Sequence, residues 1–354
     1  MNKLFFELIQ LTLGNRTALS KRPTEEEWLA LFEIAQMQAV AGIIIHGLEK
    51  LSEQGQKPPL TLLLEWIGLG EQIKNSNSLL NTKCVEIQQL LSDRNIKSSI
   101  LKGQGVATYY DKGLQLLRQS GDIDVYVNCG RKRAVAFAEE LKKEKVHWDY
   151  KHLQLHLCED VEVEVHYRVE VLFNLRKNKR LQRWFKEHEA WLYCEDGGLT
   201  KPDVRFDLFY VLLHIYRHFL HEGVGLRQVI DYYYVLKAGV EQEHKEETVE
   251  TLRQFGMMRF AQGLMWVMQE VLRMESDYLL CDPCEKEGRF ILQQIMIGGN
   301  FGKYDSRVTR FDGKLGYVHQ VIKHNLHLLR HYPADVIWAP VWIVWHKLWK
   351  ITRK

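Results

Sequence analysis

Residues 120–127, SGDIDVYV, decide the fold of this sequence. Polar and apolar side chains alternate along them, which is typical of a β-strand with one buried face. Side chains two positions apart share a face of a strand, so Asp122 and Asp124 project together while Ile123 enters the core. Two neighbouring carboxylates repel each other, and a divalent cation that prefers oxygen ligands, such as Mg²⁺, would offset that repulsion.

A second segment, VEVEVHY at 161–167, alternates in the same way. Valines line one face, and Glu162, Glu164 and His166 line the other. If the two strands are neighbours, a third carboxylate completes a cluster for two metal ions, one to activate an attacking oxygen and one to hold a triphosphate. Taken alone, either strand fits an ordinary solvated face better.

The segment ILKGQGVA at 100–107 precedes both strands and predicts a strand that turns into a helix through glycines. Such a turn presents free backbone amides at a helix N-terminus, where phosphate groups bind. Lys102 adds a positive charge there. Arg118 offers a planar guanidinium for a phosphate or a carboxylate, and its alternative role is a salt bridge to one of the acids. Together with the acidic strands, this turn favours a phosphate-binding metal site.

Helical periodicity surrounds the strand-rich region, and Thr24 with Glu27 predicts a capping box at an N-terminal helix. We expect strands at 97–101, 122–127, 153–158 and 161–167. We expect helices at 25–38, 38–52, 60–91, 103–111, 131–145, 206–220, 226–239, 245–275, 284–297, 312–331 and 341–352. The predicted fold class is α+β: an N-terminal helical region (1–95), a core with a small mixed β-sheet (96–200) and a C-terminal helical domain (201–354).

The chain has 354 residues, of which 48 are basic and 45 acidic, for a net charge of +3. This balance does not indicate a nucleic-acid binder, which usually carries a basic face, but it is compatible with a small acidic substrate. The cysteines have no framework spacing, and no apolar run approaches the roughly 20 residues that span a bilayer. We therefore predict a cytoplasmic protein without a transmembrane segment. Cys281 and Cys284 lack the second pair of a zinc site and are interpreted as incidental.

The order of these features resembles the polymerase-β-like nucleotidyltransferase superfamily. More closely, Leu101-Lys102-Gly103, Arg118, Asp122-Ile123-Asp124 and Glu164-Val165-His166-Tyr167 resemble an uncharacterised bacterial nucleotidyltransferase family with LKG, DID and E-x-H-aromatic signatures. The resemblance covers residues 95–170 well and both helical flanks more weakly. It implies that the core at 96–200 is a nucleotidyltransferase core.

The resemblance also implies catalytic and metal-binding roles. In that superfamily the aspartate pair binds two metal ions and a third acid binds the catalytic one, which points to Asp122, Asp124 and Glu164. Glu162 is the fallback third ligand if the strand register differs. The implied cofactor is a pair of Mg²⁺ ions, with Mn²⁺ as a possible substitute.

Phosphate and nucleotide contacts are implied for two further parts of the chain. The turn at Gly103 and Gln104 would contact phosphates through its backbone together with Lys102. Gln104 stands where the broader superfamily usually has serine or glycine, so a serine-to-phosphate hydrogen bond is not expected, but the backbone cradle is. Downstream, His218, Arg227 and Asp231 match a His-bearing helix followed by Arg and Asp. They would either line the nucleotide cleft or form a buried polar network between two helices.

Three other features have alternative interpretations. A zinc site from His214, His218 and His221 is disfavoured because no fourth ligand lies nearby in the sequence. The turn at 298–307 could bring Lys303 and Arg307 to the phosphates, although a plain helix connection is favoured. The aromatic, basic tail at 336–354 is expected to form a docked terminal helix, and a peripheral membrane contact is the less favoured alternative.

The leading functional hypothesis is a metal-dependent enzyme that transfers a nucleoside monophosphate from a nucleoside triphosphate, with ATP as the default donor, and releases pyrophosphate. The acceptor is unidentified. A small molecule is favoured over tRNA or protein. The near-neutral net charge weakens the tRNA alternative, although the basic stretch at 176–180 keeps it open. The competing hypothesis is a non-catalytic module that senses nucleotide or binds a partner on a degenerate transferase fold. Loss of one aspartate would favour that hypothesis, and both aspartates are present.

Overall fold

The computed structural model describes residues 2–53, 55–158, 161–305, 307 and 327–352. The described strands are β1 (Ser98–Ile100), β2 (Ile123–Val127), β3 (His152–Cys158), β4 (Val161–His166), β5 (Cys194–Asp196) and β6 (Leu199–Lys201). The described α-helices are α1 (Asn2–Thr12), α2 (Glu25–Met37), α3 (Ala41–Glu53), α4 (Leu60–Ser92), α5 (Gln104–Ala107), α6 (Gly130–Lys142), α7 (Leu175–Glu187), α8 (Val204–His221), α9 (Leu226–Ala238), α10 (Gln242–Phe255), α11 (Met258–Trp266), α12 (Glu285–Gly298), α13 (Pro333–Val336) and α14 (Trp338–Ile351).

The main sheet has the strand order β1-β2-β4-β3. Strands β2 and β4 are parallel, whereas β1 pairs with β2 and β3 pairs with β4 in antiparallel fashion. The sheet is therefore mixed, and the four predicted strands are confirmed. The short antiparallel pair β5–β6 was not predicted. The α+β class is also confirmed at this level, since helices precede and follow the sheet along the chain.

The apolar residues of the sheet are buried on one face, as their alternation requires. Ile123, Val125 and Val127 of β2 are at most 1 % exposed. They pack in a cluster with the valines of β4 and with Phe137 of the amphipathic helix α6. The opposite face of β2 and β4 consequently carries the acidic side chains.

A second cluster of buried residues joins the N-terminal and C-terminal helices. The side chain of Gln10 in α1 donates a hydrogen bond to the carbonyl oxygen of Val271 at 2.7 Å. Asn15 donates to the Tyr233 hydroxyl at 2.9 Å and to the Leu272 carbonyl at 2.7 Å. The two ends of the chain therefore share one core, although sequence position alone separates them. The division at residues 95 and 200 stays a prediction.

The N-terminal helix signals are confirmed in detail. The Thr24 hydroxyl accepts a hydrogen bond from the Glu27 backbone N–H, and the Glu27 carboxylate accepts one from the Thr24 N–H, which completes the capping box. Helix α4 covers the predicted stretch at 60–91. Helix α7 was missed, because its highly charged first turns at 176–180 were interpreted only as a basic surface.

The predicted helix at 103–111 is wrong in length, because α5 contains only four residues. The backbone amides of Tyr109 and Tyr110 bond to residues three positions earlier, in tight turns that end the helix. The Tyr110 hydroxyl is then held by Asp231 of α9 at 2.7 Å, which draws the chain toward the C-terminal helices. Of the predicted helix at 312–331, residues 312–326 lie outside the described residues.

Helix α14 packs against the segment that enters β3. The ring centroids of Trp345 and Trp349 each lie 5.0 Å from that of Tyr150, in edge-to-face geometry. Trp342 stacks in parallel on Phe173 at 5.2 Å. These contacts match the docked terminal helix expected from the sequence. Within the described part of the chain, no helix has the length and apolar character needed to cross a membrane.

Candidate active site

Three carboxylates meet on the polar face of the sheet. In the parallel pairing of β2 with β4, Asp124 lies directly opposite Glu164. Asp122 immediately precedes β2, and oxygen atoms of these three residues lie within 4.8 Å of one another. The register therefore brings together the predicted triad, and the fallback residue Glu162 is not part of this group.

A lysine and a histidine side chain contact two of these carboxylates, Asp124 and Glu164. Lys102 places its Nζ 2.9 Å from Oδ1 of Asp124. The Nε2 atom of His166 lies 2.8 Å from the same oxygen and 3.1 Å from Oε2 of Glu164. Because His166 is fully buried and follows Glu164 by two residues on β4, its ring lies on the carboxylate face. The sequence motif indicated this histidine but gave no role for it.

The three carboxyl groups differ in acidity. Repulsion from Asp124, followed by burial, raises the pKa of Asp122. Burial also disfavours the charged form of Asp124, but Lys102 and His166 outweigh it and lower its pKa to about 2. For Glu164, burial is likewise outweighed by the hydrogen bond from His166, so its pKa falls. Asp124 and Glu164 are therefore ionised at neutral pH, whereas the charge of Asp124 is the main cause of the raised pKa of Asp122.

The donor set of this cluster fits a hard divalent cation. Three carboxylates supply oxygen ligands of the kind that Mg²⁺ prefers, and the raised pKa of Asp122 records the repulsion that a cation would relieve. His152, Glu164 and His166 form a second group with ligand atoms this close. It shares Glu164 with the first group, and the Nε2 atom of His166 already faces Asp124 and Glu164. The acidic group is therefore the better cation site.

The glycine turn lies beside this cluster. Gly103 has a φ of 51°, in the region that favours glycine, and a Cβ atom there would approach the Asp122 carbonyl to 3.8 Å. The Gln104 side chain turns away into the core and donates to Oδ1 of Asn77 at 3.2 Å. Asn77 in turn donates to the Arg118 carbonyl oxygen at 2.7 Å. Gln104 thus supports the loop before β2, and the one-turn length of α5 leaves little helix dipole for phosphate binding.

Arg118 forms a buried ion pair with Asp231. Its Nε donates to Oδ1 at 2.6 Å and its Nη2 to Oδ2 at 2.8 Å, in the forked geometry of a strong pair. Both side chains are less than a tenth exposed. The sequence suggested a salt bridge from Arg118 to one of the acids of the site, whereas the structure pairs it with Asp231, 113 positions away.

Arg227 reaches the loop that precedes the aspartates. Its Nη1 donates to the carbonyl oxygen of Gln119 at 2.9 Å, and its guanidinium lies over the Phe301 ring at 5.6 Å. Burial and the nearby Arg118 lower its pKa to about 10. Arg227, Arg118 and Asp231 line a small cavity of about 50 Å³ together with Lys102 and both aspartates.

His218 belongs to a polar network that the sequence did not reveal. Its Nδ1 faces the Glu222 carboxylate at 2.8 Å and its Nε2 faces Nη2 of Arg217 at 2.9 Å. Burial, followed by Arg217, lowers the pKa of His218 to about 4, so this ring is neutral and accepts from Arg217. His214 is held at 2.9 Å by Glu170, a fully buried carboxylate.

Glu170 is the centre of that network. It lies 3.4 Å from Nζ of Lys151 and 3.2 Å from Nε of Arg217. Burial opposes its ionisation, but Arg217 and Lys151 hold its pKa well below the usual range. Because the residues come from the start of β3, the segment after β4 and helix α8, no local sequence pattern predicts this meeting. The network ties the sheet to the C-terminal helices.

A large cavity of about 960 Å³ opens over the carboxylates. Its lining includes Lys102, Asp122 and Glu164 from the sheet region, Lys151, Arg217 and His218 from the polar network, and Tyr150, Phe173, Phe301, Trp342, Ile343, His346 and Lys347. Of the described residues of the turn at 298–307, Phe301 reaches this lining and Lys303 does not. The volume is at the upper end of the range of ligand pockets.

Residues 24–273, well over half of the chain, match the sequence model of a family described as an uncharacterised nucleotidyltransferase. The chain belongs to this family, which supports a general role in nucleotidyl transfer and implies a nucleoside triphosphate as a substrate. Comparison with curated proteins gave no match, and comparison with solved structures gave none either. The three carboxylates and α8 lie within the matched residues, whereas α14 lies beyond them.

Proposed function

We propose that this protein is a metal-dependent nucleotidyltransferase that moves a nucleoside monophosphate from a nucleoside triphosphate to a small-molecule acceptor. The observation that carries the proposal is the meeting of Asp122, Asp124 and Glu164, two of which, Asp122 and Glu164, line a cavity large enough for a nucleotide. Asp122, Asp124 and Glu164 would hold the divalent cations, for which Mg²⁺ is the natural choice. Bound there, such ions neutralise the charge of the triphosphate and of the departing pyrophosphate.

Side chains of the protein would take part in the transfer step in different roles. An oxygen of the acceptor attacks the α-phosphorus, the new O–P bond forms, and the bond to the bridging oxygen of the β-phosphate breaks to release pyrophosphate. Glu164 is ionised at neutral pH and lies at the cavity, where it is available to accept the acceptor's proton. Lys102 would hold Asp124 in place and His166 would hold both Asp124 and Glu164, because these are the carboxylates that each side chain contacts.

Basic and acidic side chains line the cavity together: Lys102, Lys151 and Arg217 lie in its wall with Asp122, Asp149, Glu164 and Glu222. Divalent cations held by the carboxylates would leave these basic groups to contact a polyphosphate. For Lys102, burial favours the neutral form, but Asp124 and Asp122 outweigh it and raise its pKa, so this side chain is charged at neutral pH. Phosphoryl transfer depends mainly on such positioning and charge neutralisation.

The test is calorimetric binding of ATP, CTP, GTP and UTP with Mg²⁺. Wild type is compared with the double variant Asp122→Asn/Asp124→Asn. We expect one nucleotide to bind wild type only when Mg²⁺ is present, and binding to be lost in the double variant because the metal ligands are gone. Release of pyrophosphate with candidate acceptors would then measure transfer.

A matched pair of variants on β4 sharpens this test. Glu164→Gln removes the carboxylate opposite Asp124, whereas Glu162→Gln changes an exposed carboxylate two residues away on the same face of the strand. We expect only Glu164→Gln to weaken metal-dependent binding. The proposal would be contradicted if wild type and the double aspartate variant bound nucleotide equally well, or if neither protein bound it. Either result would favour the non-catalytic module.

A further inference from the structure

One wall of the large cavity comes from a part of the chain beyond the residues that match the family. The family match ends at residue 273, and the cavity is also lined by Phe301 and by Trp342, Ile343, His346 and Lys347. The last four lie on one side of α14. The carboxylates of the cavity and the basic residues Lys102, Lys151 and Arg217 lie within the matched residues, whereas Lys347 lies on α14. The wall that α14 forms therefore comes from a different part of the chain than the carboxylates.

Helix α14 is held firmly enough to act as a wall. Trp345 and Trp349 contact the Tyr150 ring at 5.0 Å each. Trp148 contacts Trp349 edge-on at 6.1 Å, and the Arg131 guanidinium lies 4.1 Å from the Trp148 ring. Aromatic pairs in these geometries and cation–π contacts add stability beyond simple burial. Trp345 and Trp349, which the described lining of the cavity does not include, thus anchor the helix together with Trp342, which lies 5.4 Å from Tyr150.

The anchored wall presents apolar and aromatic surface to the cavity. Trp342 stacks in parallel on Phe173, with 4° between the ring planes, and both residues line the cavity with Ile343. His346 and Lys347 add polar groups one turn further along the helix. Flat aromatic ligands bind by stacking on such surfaces, and nearby polar groups fix their orientation.

The cavity thus combines charged side chains with an apolar and aromatic wall, and a nucleoside triphosphate likewise combines a charged part with an aromatic base. We propose that α14 binds the base of the donor nucleotide, with Ile343 and the exposed remainder of Trp342 against the ring and His346 or Lys347 at its polar edge. Trp342 is 6 % exposed, since Phe173 covers one face of its ring. This assignment rests on the proposed function, because it takes the triphosphate to lie at the carboxylates. It makes residues outside the family match the determinants of base affinity in this protein.

The experiment compares two probes by calorimetry in the presence of Mg²⁺: the nucleoside triphosphate that binds wild type best, and inorganic tripolyphosphate, which has no base. Trp342→Leu should weaken binding of the nucleotide about tenfold and leave tripolyphosphate binding unchanged, because stacking is lost and the phosphate contacts remain. Ile343→Ala, a smaller change on the same wall, should weaken nucleotide binding to a lesser degree and also spare tripolyphosphate.

Trp345→Leu is the matched control. Trp345 lies on the same helix and contacts Tyr150, but the described lining of the cavity does not include it. This variant should bind both probes as wild type does. Thermal unfolding of all three variants checks that they are folded.

The outcomes separate the two proposals. If wild type binds neither probe with Mg²⁺, the proposed function fails and the base assignment fails with it. If wild type binds both probes but Trp342→Leu and Ile343→Ala bind the nucleotide normally, the proposed function stands and the base assignment is overturned. Equal weakening by Trp342→Leu and Trp345→Leu, or a parallel loss of tripolyphosphate binding, would also overturn it, since helix docking would then explain the effect.

Discussion

Replacing Asp231 by alanine tests the buried ion pair that joins the loop before β2 to helix α9. The variant leaves the Arg118 guanidinium without the acceptor of its bonds at 2.6 and 2.8 Å, in a site where its side chain is 6 % exposed. Removing one partner of a buried pair costs about 3–5 kcal/mol, because the other charge stays desolvated. The variant also removes the negative charge of Asp231 from the neighbourhood of Arg227, whose pKa Arg118 already lowers. We therefore expect a loss of about 3–5 kcal/mol in the free energy of unfolding.

Urea denaturation at neutral pH measures this loss, with two comparisons. Arg253→Ala breaks a helix-surface pair with Glu250 in which both side chains are more than half exposed, and it should cost about 0.5 kcal/mol or less. The double variant Arg118→Met/Asp231→Ala should be more stable than Asp231→Ala alone, because it removes the unpaired Arg118 charge. A loss below about 1 kcal/mol for Asp231→Ala, or a double variant that is less stable than the single one, would refute this reasoning.

Three further results are expected from the packing of single residues. Burial raises the pKa of Asp207 to about 7, so the folded state keeps a proton that the unfolded state releases. Stability should fall by up to about 1.4 kcal/mol per pH unit between about pH 4 and pH 7, and denaturation of Asp207→Asn against pH should lack this decline. Gly105→Ala should destabilise the protein by about 1–3 kcal/mol, because the new Cβ atom would lie 2.6 Å from the Ile100 carbonyl oxygen, and a wild-type melting temperature would contradict this. Gly68→Ala, inside α4 with no atom within 4 Å of the new Cβ, should instead stabilise by about 0.5–1 kcal/mol in urea denaturation.

The sequence by itself determined the elements whose signals are local. Alternation over five or more residues located β2, β3 and β4, and the Thr24–Glu27 spacing located the start of α2. The pairing of Asp122 with Asp124 followed from strand geometry alone. Each of these features depends on residues within a few positions of one another, so the chain carries them before it folds.

Where neighbouring residues gave a misleading signal, tertiary contacts decided. The sequence after Gly103 predicted a helix that continues to residue 111. In the structure the helix ends at Ala107, and the Tyr110 hydroxyl donates a hydrogen bond to Asp231. The charged stretch at 176–180 fitted a solvated surface, yet it opens α7, whose Leu181 and Trp184 are buried. Helix boundaries and amphipathic helices of high charge depend on what packs against them.

The candidate site also combines features that the local sequence predicts with features that only the tertiary structure shows. Its acidic residues were visible in the sequence, but the strand register chose Glu164 over Glu162 because Glu164 lies opposite Asp124. Only the tertiary structure gave Arg118 its partner 113 positions away and brought α14 to the cavity. The physical reason is that a strand's periodicity fixes which side chains share a face, whereas the distance between segments is fixed by the burial of apolar surface across the whole chain.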